Sequence, residues 1–221
     1  MQHYNNRGKI NKNKFGDNMV KRIIFDIDGT LITGVHFSEF VTNALKRYGI
    51  DELEKTKQFL VNIKEYENTY SFYDRSMYIA FFSNKLGINL DERFLKIFFD
   101  ELKNAVPTNS DNIKKMLDNL SNYELVLLSN YFEESQRNRL TTMGINNYFT
   151  EYYGEQIIKP NIESYFQAKG DYQPSECIIV GDDKKLDIDV PKSLGFKTLY
   201  VNPDGDIKSV EEITKQLIKE M

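Results

Sequence analysis

The chain has few of the residues on which several function classes depend. Among its 221 residues there are one cysteine and two histidines. The single cysteine, Cys177, cannot form an intramolecular disulfide, and its place before the apolar residues 178–180 predicts a buried thiol in a reducing, cytoplasmic setting. With only His3 and His36 available, catalysis that depends on histidine has little to draw on.

Long apolar runs and an excess of positive charge are also missing. The formal net charge is -4, the pI is near 5.4, and no block of lysine or arginine is present, which argues against nucleic-acid and membrane-surface partners. Apolar runs of only a few residues predict no bilayer-spanning helix. Residues 1–18 are rich in asparagine and lysine without an apolar segment, so we expect a disordered leader rather than a secretory signal, with Met19 a second candidate start.

The apolar residues that are present follow two different periods along the chain. Residues 34–107 carry them at helical spacing, which predicts a bundle of four helices, with Ser71 capping the third and Asp91 the fourth. Residues 19–33 and 108–221 alternate short apolar runs with helical segments. That alternation predicts an α/β fold, a Rossmann-like parallel sheet with helices on both faces.

The first apolar run ends on a pair of carboxylates. Residues 23–25 have the composition of a buried parallel strand, and Asp26, Asp28, Gly29 and Thr30 follow it. An ordinary turn is the alternative interpretation, since Asp and Gly favour turns. Two carboxylates directly after a buried strand repel each other without a cation, and Mg²⁺ prefers oxygen ligands of this kind. We therefore favour a metal site.

Three further polar segments follow predicted strands or their adjoining loops. Because parallel strands open their carboxyl ends on one edge, all four segments are expected to converge there. Carboxylates that hold Mg²⁺, one lysine and two hydroxyls suit phosphoryl transfer, in which an aspartate can attack phosphorus. The three segments are Ser129-Asn130, Lys159-Pro160 and Gly181-Asp182-Asp183.

In this order the four segments resemble the motifs of the haloacid dehalogenase-like hydrolase superfamily, in its branch with a helical cap inserted between the first and second motifs. The resemblance implies that Asp26 is the nucleophile and a metal ligand. It implies that Asp28 is the general acid and then the base, with its main-chain carbonyl on Mg²⁺. Asp182 would be the third ligand, and Asp183 and Asp187 would support the metal without being separable by sequence. The expected phosphoryl-binding residues are Thr30, Ser129, Asn130 and Lys159.

The presence of Asp28 favours phosphate esters over organohalides, because a halide needs no proton when it leaves. The predicted function is therefore a Mg²⁺-dependent phosphatase acting on a small phosphorylated metabolite, such as a nucleoside monophosphate or a sugar phosphate. A phosphoglucomutase-like phosphotransferase with the same aspartates and a non-catalytic binding scaffold are the alternatives. Candidate substrate contacts are His36, Tyr70 and Arg75, although core packing and surface positions also explain residues of these types.

Overall fold

The computed structural model describes residues 19–108, 110–202, 212, 213 and 215. Within them lies a parallel five-stranded sheet of order β3-β2-β1-β4-β5, as the alternating pattern predicted. Because β1 lies between β2 and β4, its carboxyl end faces the crevice where such sheets bind ligands. The strands are β1 (Arg22–Phe25), β2 (Glu124–Leu128), β3 (Tyr152–Tyr153), β4 (Cys177–Gly181) and β5 (Lys197–Tyr200).

The central strands are buried on both faces, which explains their unbroken apolar sequences. Ile23 and Phe25 of β1 contribute to the core on one face, whereas Ile24 contributes to the core on the other. Cys177 lies in the second core and is buried, as predicted. Burial raises the pKa of this thiol to about 12, so it is an unreactive packing group.

Short helices connect these strands and cover both faces of the sheet. A 3₁₀ turn, Asn146–Tyr148, precedes β3, and a second one, Pro174–Glu176, precedes β4. A wide π-helical turn, Lys184–Asp189, leads directly into the last of the α-helices described here. These helices are α5 (Asp111–Asn119), α6 (Glu133–Thr142), α7 (Ile162–Lys169) and α8 (Val190–Ser193).

Four helices stand between β1 and α5 and form a unit that we call the helical insert. Its core is aromatic: the Phe59 ring stacks on Phe82 at 4.2 Å between centroids, and both side chains are fully buried. Asp91 caps the fourth helix, as predicted, and Gly49 ends the first helix in a left-handed conformation. The helices are α1 (Phe37–Tyr48), α2 (Leu53–Thr69), α3 (Arg75–Leu86) and α4 (Glu92–Leu102).

The predicted cap of α3 was wrong by three residues. Asp74, not Ser71, caps this helix by accepting a hydrogen bond from the Met77 amide. The backbone of residues 71–73 is bonded elsewhere: the Ser71 carbonyl accepts from the Ile158 amide at 3.0 Å, and the Tyr73 amide donates to the Glu155 carbonyl at 2.7 Å. These bonds attach the helical insert to the loop that carries Lys159.

The leader expected at residues 1–18 lies outside the described residues. None of the helices in the described ranges combines the length and the apolar content that crossing a bilayer requires.

Candidate active site

The first motif leaves the sheet at Asp26. Its amide donates to the Val180 carbonyl at 2.9 Å, which holds Asp26 at the carboxyl edge between β1 and β4. Gly29 then adopts a positive φ of +79°, a conformation that favours glycine, and the chain turns back. A Cβ at Gly29 would lie 2.0 Å from Oδ2 of Asp182, so the turn packs directly against that carboxylate.

Lys159 is a buried cation between two carboxylates. Its Nζ donates to Oδ1 of Asp26 at 2.9 Å and to Oδ1 of Asp187 at 2.6 Å. Burial alone lowers the pKa of Lys159, but the two carboxylates outweigh it and hold this pKa above its ordinary value. The lysine is therefore charged and directed at Asp26.

The Asn130 side chain positions this lysine. Its Nδ2 donates to the Lys159 carbonyl at 3.0 Å, and its Oδ1 accepts from the Lys159 amide at 2.8 Å. Both ends of the amide therefore bind the backbone of Lys159, joining the end of β2 to the loop before α7. The structure gives Asn130 this positioning contact, whereas its predicted contact with a phosphoryl group stays a prediction.

Carboxylate oxygens of Asp26, Asp182 and Asp187 lie within 4.8 Å of one another. Burial raises the pKa of Asp182 to about 6, and the neighbouring Asp187 adds to the rise. Burial also raises the pKa of Asp26, which Lys159 opposes. Such a cluster is stabilised by a hard divalent cation, and its all-oxygen donor set is the kind that binds Mg²⁺.

The structure separates Asp183 from Asp187. The Asp183 carboxylate accepts from the amides of Lys185 at 2.9 Å and Leu186 at 2.8 Å, so it caps the π-helical turn. Asp187 is 1% exposed and points back into the acidic cluster. The turn between them produces this difference, because it rotates Asp187 toward β4 while leaving Asp183 at its start.

Asp28 lies outside the acidic cluster and is held by α6. Its Oδ1 accepts from Arg139 Nη1 at 2.7 Å, and its Oδ2 accepts from Gln136 Nε2 at 2.8 Å. Arg139 also donates to the Ala105 carbonyl, just beyond the last helix of the insert. The sequence interpretation missed this pair. The sequence of α6 indicates only part of this: it has few apolar residues, so its buried face had to include polar ones, but the pattern does not identify their partner.

The remaining predicted site residues divide into two groups. Ser129 is buried, and its hydroxyl lies 3.4 Å from Gln136 Nε2, beside the acidic cluster. Thr30 is fully buried, and its hydroxyl has no hydrogen-bond partner among the described residues. The three candidate substrate contacts are elsewhere: His36 is exposed before α1, Tyr70 packs on Tyr66, and Arg75 pairs with Glu92 and Glu134. Their substrate role stays a prediction.

Two adjoining cavities lie at the carboxyl edge of the sheet. The first, of about 290 Å³, which we call the catalytic cavity, is lined by the acidic cluster, Lys159 and Ser129, with Lys64 and Glu67 on the side of α2. A second cavity of about 190 Å³, which we call the apolar chamber, extends between the insert helices and α6. Asp28, Glu67 and Asn130 line both, so the two cavities adjoin at these side chains.

Comparisons with known proteins agree with this architecture. Mouse N-acylneuraminate-9-phosphatase is 30% identical over 105 residues, which are 44% of this chain and 42% of that protein. A predicted phosphoglycolate phosphatase from Haemophilus somnus superposes with a TM-score of 0.63 at 21% identity, covering 91% of this chain and 99% of that one. L-2-haloacid dehalogenase from Xanthobacter autotrophicus also superposes with a TM-score of 0.63, at 19% identity, covering 91% of this chain and 83% of that one.

The two structural matches show the fold alone, and the mouse protein is matched over less than half its length. The family model described as haloacid dehalogenase-like hydrolase matches residues 23–201, from β1 to just beyond β5. With that match over most of its length, the chain belongs to the haloacid dehalogenase-like hydrolases.

Proposed function

We propose that this hydrolase is a Mg²⁺-dependent phosphatase that cleaves small phosphate monoesters through a phosphoryl group carried on Asp26. One observation supports this most directly: the Asp26 carboxylate stands at the sheet edge with the charged Lys159 at 2.9 Å and two further carboxylates within 4.8 Å. A nucleophile beside a cation and an acidic cluster is the arrangement that phosphoryl transfer requires.

The residues present fit a bound Mg²⁺. Asp26 and Asp182 would hold it with carboxylate oxygens, Asp28 with its main-chain carbonyl, and Asp187 would lie beside them. Two glycines support this assignment, because a Cβ at Gly29 or at Gly181 would collide with the carboxylate of Asp182 or Asp187. When bound, the ion offsets the negative charge of the phosphoryl oxygens.

The chain's own residues account for the proton and bond changes. An Asp26 oxygen attacks phosphorus, and the bond from phosphorus to the ester oxygen breaks. Asp28, which enters this step protonated, gives its proton to that leaving oxygen, so the alcohol departs neutral. A water then attacks the phosphorus, losing its proton to Asp28, and the bond to Asp26 breaks to release phosphate. Lys159 and Ser129 bind the phosphoryl oxygens throughout, and Arg139 with Gln136 orients Asp28.

The helical insert is proposed to act as a cap over this chemistry. Its Lys64 and Glu67 line the catalytic cavity from α2, whereas the other lining residues belong to the motifs at the sheet edge. Residues 71–73 of the insert are hydrogen-bonded to the Lys159 loop. A cap in this position limits the size of the ester and excludes water from the site. Small phosphorylated metabolites are therefore the proposed substrates, and the nucleoside monophosphates and sugar phosphates predicted from the sequence belong to the panel that tests this.

The direct test is phosphate release from a panel of phosphorylated metabolites, with Mg²⁺ and with EDTA. We expect release that depends on Mg²⁺ and falls to background in EDTA, because the carboxylates alone repel the phosphoryl group. Transfer of the phosphoryl group to a second sugar without release of phosphate would instead identify a phosphotransferase. Binding of an ester with no turnover of any kind would contradict both activities.

Gly29→Ala is expected to weaken Mg²⁺ affinity by roughly 10–100-fold, because the new Cβ would displace Asp182 from the cluster. The measurement is the Mg²⁺ concentration at the midpoint of a titration in which the thermal unfolding temperature is recorded at each concentration. Gly34→Ala is the matched control: its φ of +71° imposes a similar backbone strain, but nothing lies within 4 Å of the added Cβ. Equal loss of affinity in both variants would show that contact with Asp182 is irrelevant.

A further inference from the structure

The apolar chamber adjoins the place where the leaving group would be protonated. Asp28, the proposed acid, lines it at the point where it adjoins the catalytic cavity. The ester oxygen must lie beside this acid to accept its proton, which places the carbon attached to it at the entrance of the chamber. An organic body that extends into the chamber would contact the chamber walls.

These walls are mainly hydrocarbon. Seven of its twelve lining residues are aliphatic or aromatic: Phe37 and Val41 of α1, Ile63 of α2, Phe98 and Leu102 of α4, and Tyr73 and Tyr131. An apolar cavity of about 150 Å³ is large enough for a benzene molecule. At about 190 Å³ the apolar chamber accommodates one six-membered ring with a short substituent.

Charge in the chamber disfavours anions. Glu67 lies at its junction with the catalytic cavity, where its carboxylate accepts a hydrogen bond from the Tyr73 hydroxyl at 2.8 Å. Of the described residues that line the chamber, Arg139 is the sole cation, and its guanidinium is bonded to Asp28, Gln136 and the Ala105 carbonyl. Lys64 lines the catalytic cavity but not the chamber. A second anion on the substrate would thus meet Glu67 without a free counter-ion.

We propose that the preferred substrates are phosphate monoesters of an uncharged, largely apolar alcohol the size of a single ring, and that Glu67 excludes esters whose body carries a second negative charge. This inference rests on the proposed phosphatase function and narrows it. A body rich in hydroxyls is also disfavoured, since the mainly hydrocarbon walls leave most of its hydroxyls without hydrogen-bond partners. The chamber therefore favours apolar-ring esters over sugar phosphates.

Three esters of primary alcohols test the proposal with closely matched leaving oxygens: benzyl phosphate, para-carboxybenzyl phosphate and glucose 6-phosphate. The wild-type kcat/KM is expected to be roughly 100-fold higher for benzyl than for para-carboxybenzyl phosphate, and roughly tenfold higher than for the sugar ester. Benzyl alcohol should inhibit competitively, and para-carboxybenzyl alcohol should inhibit far more weakly. The inhibition assay uses the wild type alone, so it does not depend on how a variant folds.

Two variants test which residues produce the selectivity among these esters. Glu67→Gln should reduce the benzyl to para-carboxybenzyl ratio by roughly tenfold, mainly through a lower KM for the charged ester. Glu65→Gln on the same helix is the control, because Glu65 pairs with Lys85 and lines neither cavity. Val41→Phe should fill the chamber and raise the KM of benzyl phosphate more than that of methyl phosphate, in protein that still unfolds cooperatively.

Failure of this inference differs from failure of the proposed function. If Mg²⁺-dependent hydrolysis occurs but para-carboxybenzyl or glucose 6-phosphate is the best of the three esters, the substrate class is overturned and the phosphatase stands. An unchanged selectivity ratio in Glu67→Gln overturns the role of that carboxylate. If neither these esters nor any metabolite in the panel releases phosphate, the phosphatase function itself fails.

Discussion

Replacing Asp26 with asparagine is expected to reduce phosphate release by roughly 10⁴-fold or more. The amide is a poor nucleophile, and it removes one negative charge from a cluster whose other members are Asp182 and Asp187. The shape of the side chain is conserved, so the fold should persist. The measurement is kcat on the best ester of the panel, together with acid-quenched trapping of labelled phosphoryl groups on the protein.

The trapping result distinguishes covalent from electrostatic roles. Wild-type protein should retain a label that hydroxylamine removes, as an acyl phosphate does, and the Asp26 variant should retain none. Asp171→Asn, an exposed position after α7, makes the same chemical change away from both cavities and should leave kcat unaltered. A variant at Asp26 that kept a tenth of wild-type activity would rule out this residue as the nucleophile.

Replacing Lys159 with methionine is expected to lower the free energy of unfolding in EDTA by about 3–5 kcal/mol, the cost of leaving buried charges without their partner. Asp26 and Asp187 both bind the lysine ammonium, and Lys159 and Asp187 are almost fully buried. Methionine fills a similar volume, so the loss reflects charge rather than a cavity. Urea denaturation in EDTA measures it.

Mg²⁺ should partly replace the missing charge. The rise in stability on adding Mg²⁺ is therefore expected to be larger in Lys159→Met than in the wild type, although the variant would lack the proposed phosphoryl contact. Lys192→Met, an exposed position on α8, should stay within about 0.5 kcal/mol of wild type. Equal stability of Lys159→Met and wild type in EDTA would mean that the lysine does not neutralise the cluster.

The sheet and its acidic edge could be predicted because their signals are local. Residues 23–25, 125–128 and 178–180 are apolar runs too short for helices, and polar motifs follow each. In a parallel sheet such motifs meet at one edge whatever the packing details are. The structure brings Asp26, Lys159 and Asp182 together accordingly.

Other parts of the site depend on contacts that no local pattern specifies. Asp183 and Asp187 have the same side chain four residues apart, and only the π-helical turn between them makes one a cap and the other a member of the cluster. Gln136 and Arg139 are common surface residues of helices, and packing α6 against the first motif buries them beside Asp28. The start of α3 differs from the predicted one for the same reason, because the backbone of residues 71–73 is hydrogen-bonded to the Lys159 loop.

By itself, the sequence of this protein determines the order of strands and helices, the four motifs and the types of side chain that reach the edge of the sheet. These follow from hydrophobic period and chain direction, which act over a few residues. The tertiary structure alone decides that Asp187 rather than Asp183 belongs to the acidic cluster and that Arg139 and Gln136 bind Asp28. It also decides that Glu67 lines the apolar chamber. Those features arise where the helical insert packs against the core, between residues far apart in the chain.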